Sequence, residues 1–341
     1  MTKYKHLFEP IQVGKKVIKN RIFMPPISTN LANKGYVTDE LVKHYGDRAK
    51  GGVGLIVTEV VTVEPTYIYL PGDMSIHDDS YIEGWKKLYA EVHKYGTVLL
   101  PQLFHPAFMA FPIPGTPQLI APSNVGPYYA RKAPRAVTKE ELKVIIKQFG
   151  EAAKRVQIAG GDGVEIHAAH AHGLLGGFLS PLYNKRCDEY GGDINGRLRL
   201  TLEVIEEVRR VCGKDFIIDV RISGDEYSDG GLNLNDMTYV AKKLEEAGVD
   251  FSKEIPDNTT AIIMSITNKP EEMTDAQIKM RALELGMVEE SVLADLQAKE
   301  ESTDVETVED ILNQHAAEKE NQEEIPAEET TETVTVNSVS G

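Results

Sequence analysis

The sequence predicts an α/β chain built as a TIM-type (β/α) barrel, incomplete at about six βα units and followed by an acidic C-terminal tail. Three observations carry this expectation. Short β-branched apolar runs alternate with amphipathic segments through residues 1–251. Polar residues cluster directly after successive apolar runs, and the composition changes abruptly past residue 251.

The first run, "RIFMPPI", ends in Ser28 and Thr29. An amphipathic segment at 38–50 leads to the second run, "VGLIVTEV", and another at 81–94 leads to "GTVLLPQLF", which carries Gln102 and is followed by His105. The segment 138–159 opens with Thr138 and has Glu141 three residues on, the pattern in which side chain and backbone cap each other at a helix start. Next comes "GDGVEIHAA", followed by three histidines within six residues, His167, His170 and His172. The segment 197–211, the run "DFIIDVRIS" with Arg221, the segment 234–247 and "GVDF" complete six strands and five helices. Strands that alternate with helices form parallel sheets. No G-x-G-x-x-G follows the first strands, which counts against an open dinucleotide-binding sheet. In a barrel the strand ends converge on one face, where barrel chemistry sits.

Three segments follow from composition: 1–251 as the barrel portion, 252–299 as a divergent stretch with short helices, and 300–341 as a disordered tail. Residues 1–251 hold 31 of the 53 acidic and 31 of the 37 basic residues, so the net charge of −16 lies in the last ninety. All 24 aromatic residues also precede position 252. A strongly acidic segment without aromatics buries too little apolar surface to offset its ordering entropy. Two cysteines, Cys187 and Cys212, encode neither a disulfide framework nor an iron–sulfur cluster. Without a basic patch, an apolar leader or a membrane-length apolar run, nucleic acid and membrane are not expected as partners, and the expected location is cytoplasmic. A homo-oligomer is left open.

Gln102 could read the edge of a heterocycle through its paired donor and acceptor, or be a structural hydrogen-bonding residue. Arg221 near an apolar strand end needs an anion or a polarised acceptor, or else a salt bridge to Asp219, Asp225 or Glu226. A metal reading of the histidines would use His170, His172 and Glu165, but the other strand ends offer Gln, Ser and a repelling Arg. No metal is therefore expected. Imidazoles can instead donate to a carbonyl or carboxylate oxygen on which charge develops.

Together, "KNRIFMPPISTNLA", "RAKGGVGLIVTE", "PQLFHP", "APS", "GVEIHAAH", "FLSPLYNKRCDEYGGDINGRLRL" and "DVRISGDEYSDGGL" resemble the old yellow enzyme family of flavin-dependent ene-reductases, nearest the flavin barrel of its 2-enoate and 2,4-dienoyl-CoA reductase branch. The resemblance runs from residue 5 to about 251. It implies FMN as cofactor, NAD(P)H as reductant, and reduction of the C=C bond of an α,β-unsaturated carboxylate, thioester or ketone. By position it implies Pro26, Ile27, Ser28 and Val60 against the flavin ring, Gln102 on its pyrimidine edge and Arg221 on its N1/O2 side. His167 and His170 correspond to the pair that grips the substrate oxygen. His172 falls where many relatives carry a tyrosine proton donor, with Tyr36 or Tyr183 as substitutes, Tyr36 also being a substrate contact. The family's last two βα units, which bind the FMN phosphate, and the cysteine cluster of close relatives have no counterpart in the motifs after residue 251. The alternative expectation is accordingly an inactive truncated or chimeric barrel fragment without stable flavin.

Overall fold

The computed structural model describes residues 5–111, 115–126 and 133–250. The chain divides into two units, Met1–Asn268 and Lys269–Gly341, and every described residue belongs to the first. The segments 252–299 and 300–341 lie outside the described residues.

An antiparallel hairpin, β1 (Ile11–Val13) and β2 (Lys16–Ile18), comes first, followed by β3 (Phe23–Met24), α1 (Asp39–Lys50), β4 (Leu55–Thr62) and β5 (Met74–Ser75). Then come α2 (Ile82–His93), β6 (Val98–Phe104), the two-residue strands β7 (Ile120–Ala121) and β8 (Arg135–Ala136), and α3 (Lys139–Ile158). The chain continues through β9 (Gly163–His167), α4 (Gly173–Leu179), α5 (Ile194–Cys212), β10 (Ile217–Arg221) and α6 (Leu234–Glu246). Strands β3, β4, β6, β9 and β10 lie side by side, all parallel and in chain order, with β5 added at the end of β4. This is the curved wall of a TIM-type barrel, with the helices packed outside it.

The five expected helices form, and four of them, α1, α3, α5 and α6, start at a residue whose side chain caps the first turn. Thr38 accepts from the Leu41 N–H, and Asp193 from the Gly196 N–H. At α3 the expected reciprocal cap is present: Thr138 Oγ1 accepts from the Glu141 N–H at 3.2 Å, while Glu141 accepts from the Thr138 N–H at 2.9 Å. Leu142, Ile145, Phe149, Ala152, Ala153 and Val156 recur every three to four residues, so one stripe of α3 is buried. Each fully buried Leu, Ile or Phe there contributes about 2 kcal/mol.

Two differences from the sequence reading stand out. The stretch Gly173–Leu179 forms α4, a short, wholly buried helix beyond the five expected. The sixth strand, "GVDF", is described only to Asp250, whose N–H donates to the Ile218 carbonyl at 3.0 Å beside β10.

Inside the wall, Val57, Val98, Leu100 and Ile217 from the strand beginnings pack with Ile18, Ile11 and Val13, so the hairpin closes the N-terminal end. Asp162, just before β9, ties that end together. Its side chain, only 6% exposed, pairs with Lys16 at 2.8 Å and His93 at 2.7 Å and accepts from the Leu99 N–H at 3.3 Å. Burial pushes this carboxyl up, but the bonds from His93 and Lys16 outweigh it and hold it below the usual carboxylate range. A depressed folded-state pKa adds stability above the unfolded value, and that stability is lost as pH falls through the folded one. Asp162→Ala should therefore cost about 2 kcal/mol in urea unfolding near neutral pH, shrinking as the pH is lowered below about 4. A loss that does not change with pH would mean that Asp162 acts only by packing.

Candidate functional site

The C-terminal ends of the five strands open onto a cleft of about 210 Å³. Eleven residues line it: Pro26, Ile27, Ser28, Val60, Tyr69, Gln102, Phe104, His167, His170, His172 and Arg221. Nine of them were singled out from the sequence and one was not foreseen at all: Tyr69, on the β4–β5 connection, carries no motif. Phe104 belongs to "PQLF" but has no polar atom to mark it.

Each side chain has a local cause for its place. Pairing of β4 with β6 shifts register between Val57 and Val60, a bulge that reverses the in–out alternation. Val60 consequently sits opposite Gln102 in the cleft, while Glu59 is buried behind it. There Glu59 accepts from the Thr29 N–H at 2.5 Å, anchoring the segment that carries Pro26 to Ser28. Asp73, 4% exposed, accepts from Ser28 and from the Leu70 N–H at 3.1 Å. The loop between them needs Gly72, since a Cβ there would lie 2.7 Å from the backbone of Asn30.

The three histidines are gathered by a tight turn after β9. His170 and Ala171 both adopt left-handed backbone, with φ of 63° and 48°, and Gly173 follows at 61°. Such conformations cost non-glycine residues about 1 kcal/mol each and persist where surroundings enforce them. Here the His170 N–H donates to Ser223 Oγ at 2.6 Å, and the Leu174 N–H donates to the His105 carbonyl at 2.9 Å. Gly173 lies so close to Phe104 that a Cβ would come within 2.3 Å of its ring.

The turn folds the imidazoles around Phe104, with ring centroids 4.8 Å away for His167 and 5.9 Å for His172. His167 and His170 lie 5.8 Å apart, and Tyr69 meets His172 edge-on at 5.3 Å. Burial, then neighbouring His170, His172 and Arg221, pushes His167 down to about 3. Burial, then His170, pushes His172 down to about 4, and His170 is lowered by burial and Arg221. All three are therefore neutral near pH 7, each with one N–H to donate and one lone pair to accept.

The Arg221 guanidinium reaches the same cleft from the end of β10, beside His167 in the strand register. It makes no ion pair with a described residue; the alternative salt bridges do not form. Asp225 instead accepts from the Tyr227 N–H, and Glu226 from Ser180 and the Leu232 N–H. A cation without a counterion in a half-buried cleft is a receptor for negative charge on a ligand. Among the described residues no cluster of His, Cys, Asp or Glu is arranged to hold a metal ion. No described helix is long and apolar enough to cross a membrane.

Tyr36 stands apart from the lining: its hydroxyl pairs with Ser80 Oγ at 3.0 Å and its ring packs on Tyr81. Tyr183 stacks on Phe108, also away from the cleft.

Fold and cleft together define a class: a parallel α/β barrel whose strand ends hold neutral hydrogen-bonding groups around a cation, Arg221, that forms no ion pair with a described residue. Within that class, the chain belongs to the NADH:flavin oxidoreductase / NADH oxidase family, whose model matches residues 6–319. It is 41% identical over 252 residues to an NADH oxidase of Thermoanaerobacter brockii, covering 73% of this chain and 39% of that protein. It is 38% identical over 247 residues to an NADPH dehydrogenase of Bacillus subtilis, covering 72% of this chain and 71% of that one. Among solved structures it resembles an old yellow enzyme from Pichia sp. AKU4542, with a TM-score of 0.65 at 32% identity, covering 71% of this chain and 67% of that one. The chain thus spans about two-fifths of the length of the NADH oxidase and about seven-tenths of the other two.

Beside the cleft, burial and the charge of Glu59 push Asp73 up to about 7. A raised folded-state pKa means that the folded protein holds this proton more tightly, so stability falls as pH rises from about 4 through about 7. Asp73→Asn keeps an acceptor for the Leu70 N–H and removes the titration. It should leave the unfolding free energy unchanged below about pH 4 and raise it by about 1–2 kcal/mol at about pH 8. Parallel stability curves for the two proteins would show that Asp73 is already ionised at pH 5.

Proposed function

We propose that this chain forms the flavin-binding part of an NAD(P)H-dependent ene-reductase that reduces the C=C bond of α,β-unsaturated carboxylates, thioesters or ketones, with FMN as its cofactor. The observation that carries the reading is the convergence, from the ends of β6, β9 and β10, of Gln102, Arg221 and three neutral imidazoles on one cleft. That donor set fits a flavin. Gln102 offers an amide that matches the donor and acceptor edge of the ring, and Arg221 offers a cation that no described carboxylate pairs with. Pro26, Ile27, Ser28 and Val60 supply a wall for a flat ring. When bound, FMN supplies the two-electron carrier that takes hydride from NAD(P)H and returns it to the substrate.

The rest of the chemistry belongs to the side chains. His167 and His170 donate N–H bonds to the carbonyl or carboxylate oxygen, stabilising the charge that gathers there as the conjugated bond is reduced. Because both are neutral, they polarise the oxygen without protonating it. The carbon needs a proton, and a neutral His172 is a poor source. Tyr69, packed against His172, keeps its phenolic proton because burial and the Asp73 charge raise its pKa. It is placed to deliver that proton, with His172 orienting its ring.

Purified chain should take up FMN, show its visible absorption, bleach with NAD(P)H and recover its colour with an enone or enoate. His170→Ala should weaken binding of an enoate about tenfold while FMN stays bound. A protein that remains colourless after FMN is added would favour the fragment without stable flavin. Loss of FMN in His170→Ala would overturn the role given to His170.

A further inference from the structure

Beneath the cleft lies a polar row of which the proposed function uses only Gln102. Strand register sets Gln102 opposite Glu165 and Glu165 opposite Asp219, on β6, β9 and β10. Two residues further along these strands come Phe104, His167 and Arg221; two residues back come Leu100, Gly163 and Ile217. Gln102, Glu165 and Asp219 thus form one layer between the ligand cleft and the apolar plug. Gln102 and Glu165 are each only 2% exposed. Gln102 Nε2 donates to Glu165 Oε1 at 2.5 Å. On its other side Glu165 meets the Asp219 carboxyl, which also accepts from the Val220 N–H at 2.9 Å.

We infer that Glu165 is a positioning residue for the ring-binding amide: held between Asp219 and Gln102, it fixes Gln102 with Nε2 turned down and Oε1 offered to the cleft. The inference rests on the flavin reading of that cleft. The order of donors is forced. Two carboxyls in contact do not both ionise, so one proton lies between them. Burial, then the neighbouring Asp219, raises the Glu165 carboxyl well above the ordinary range, so Glu165 is the one that keeps it. Arg221 above and Asp250 beside β10 are the other charges facing the pair, and Arg221 favours an ionised Asp219. The Glu165 O–H then donates to Asp219 and its carbonyl oxygen accepts from Gln102. A flipped Gln102 would set two carbonyl oxygens against each other in a dry interior, an arrangement that proteins avoid. The cleft therefore presents an acceptor, which selects a ring edge carrying an N–H, as the flavin imide does, over one alkylated at that nitrogen.

Two substitutions separate this from plain packing. Glu165→Gln keeps the relay, accepting from Gln102 through its carbonyl and donating to Asp219 through its amide. Glu165→Met fills similar space and removes both bonds. Affinity would be measured for FMN and for FMN methylated on its imide nitrogen. Wild type and Glu165→Gln should bind FMN within about twofold of each other and prefer it over the methylated form by about tenfold or more. Glu165→Met should lose that preference while its circular dichroism stays unchanged. Equal loss in Glu165→Gln, or full preference in Glu165→Met, overturns the inference. Infrared spectra of the flavin-free protein give a second readout that needs no ligand. Wild type should show a protonated-carboxyl C=O stretch at neutral pH that disappears in Glu165→Gln; its absence from wild type overturns the relay even if no FMN binds. Failure of wild type to bind FMN, with that band present, would sink the flavin reading and leave the relay standing.

Discussion

The site depends first on the parallel register of β6, β9 and β10. Because Gln102 pairs with Glu165 and Asp219 pairs with Glu165, inward side chains stack in levels that are apolar at the hairpin end, polar in the middle and ligand-facing at the top. A slip of one residue on β9 would turn Glu165 and His167 out into the helix layer and bring Ile166 inside. The bulge in β4 shows the same constraint from the other side. It is the device that brings Val60, rather than Glu59, to the level of Gln102.

Desolvation then sets the chemistry. The left-handed turn at His170 and Ala171 packs three imidazoles around Phe104 and away from water, and each loses its tendency to carry charge. Arg221 is left as the cation of the cleft. A site with one fixed positive charge and several neutral donors is suited to a ligand whose charge appears during reaction, because the donors need no reorganisation when it does.

Much of this was legible in the sequence, and for identifiable reasons. The alternation of apolar runs with amphipathic segments gave the parallel wall, since its two periods are those of strands and helices. Thr138 with Glu141 marked a helix start because capping is local chemistry. The polar residues at strand ends converge because barrels bring those ends together. What stayed hidden depends on contacts distant in sequence or on small residues. Tyr69 sits in a connection without a motif. The buried α4, "GLLGGFL", carries three glycines, poor helix formers, yet Gly176 and Gly177 are there because Ala169 and Phe108 leave no room for a Cβ. Glu165 had a place in the sequence only in the metal reading that was set aside, whereas the pleat aims it at Gln102 and Asp219, one level below the histidines.

The cleft holds three neutral imidazoles beside the Arg221 guanidinium. Side-chain ¹⁵N and ¹³C NMR of the histidines across a pH titration tests this most directly. The account predicts that His167 and His172 are neutral at about pH 6, where an unperturbed histidine is largely protonated, and titrate only well below it. An imidazolium signal from either residue at that pH would contradict it, and with it the view that these groups polarise a substrate oxygen by hydrogen bonding alone.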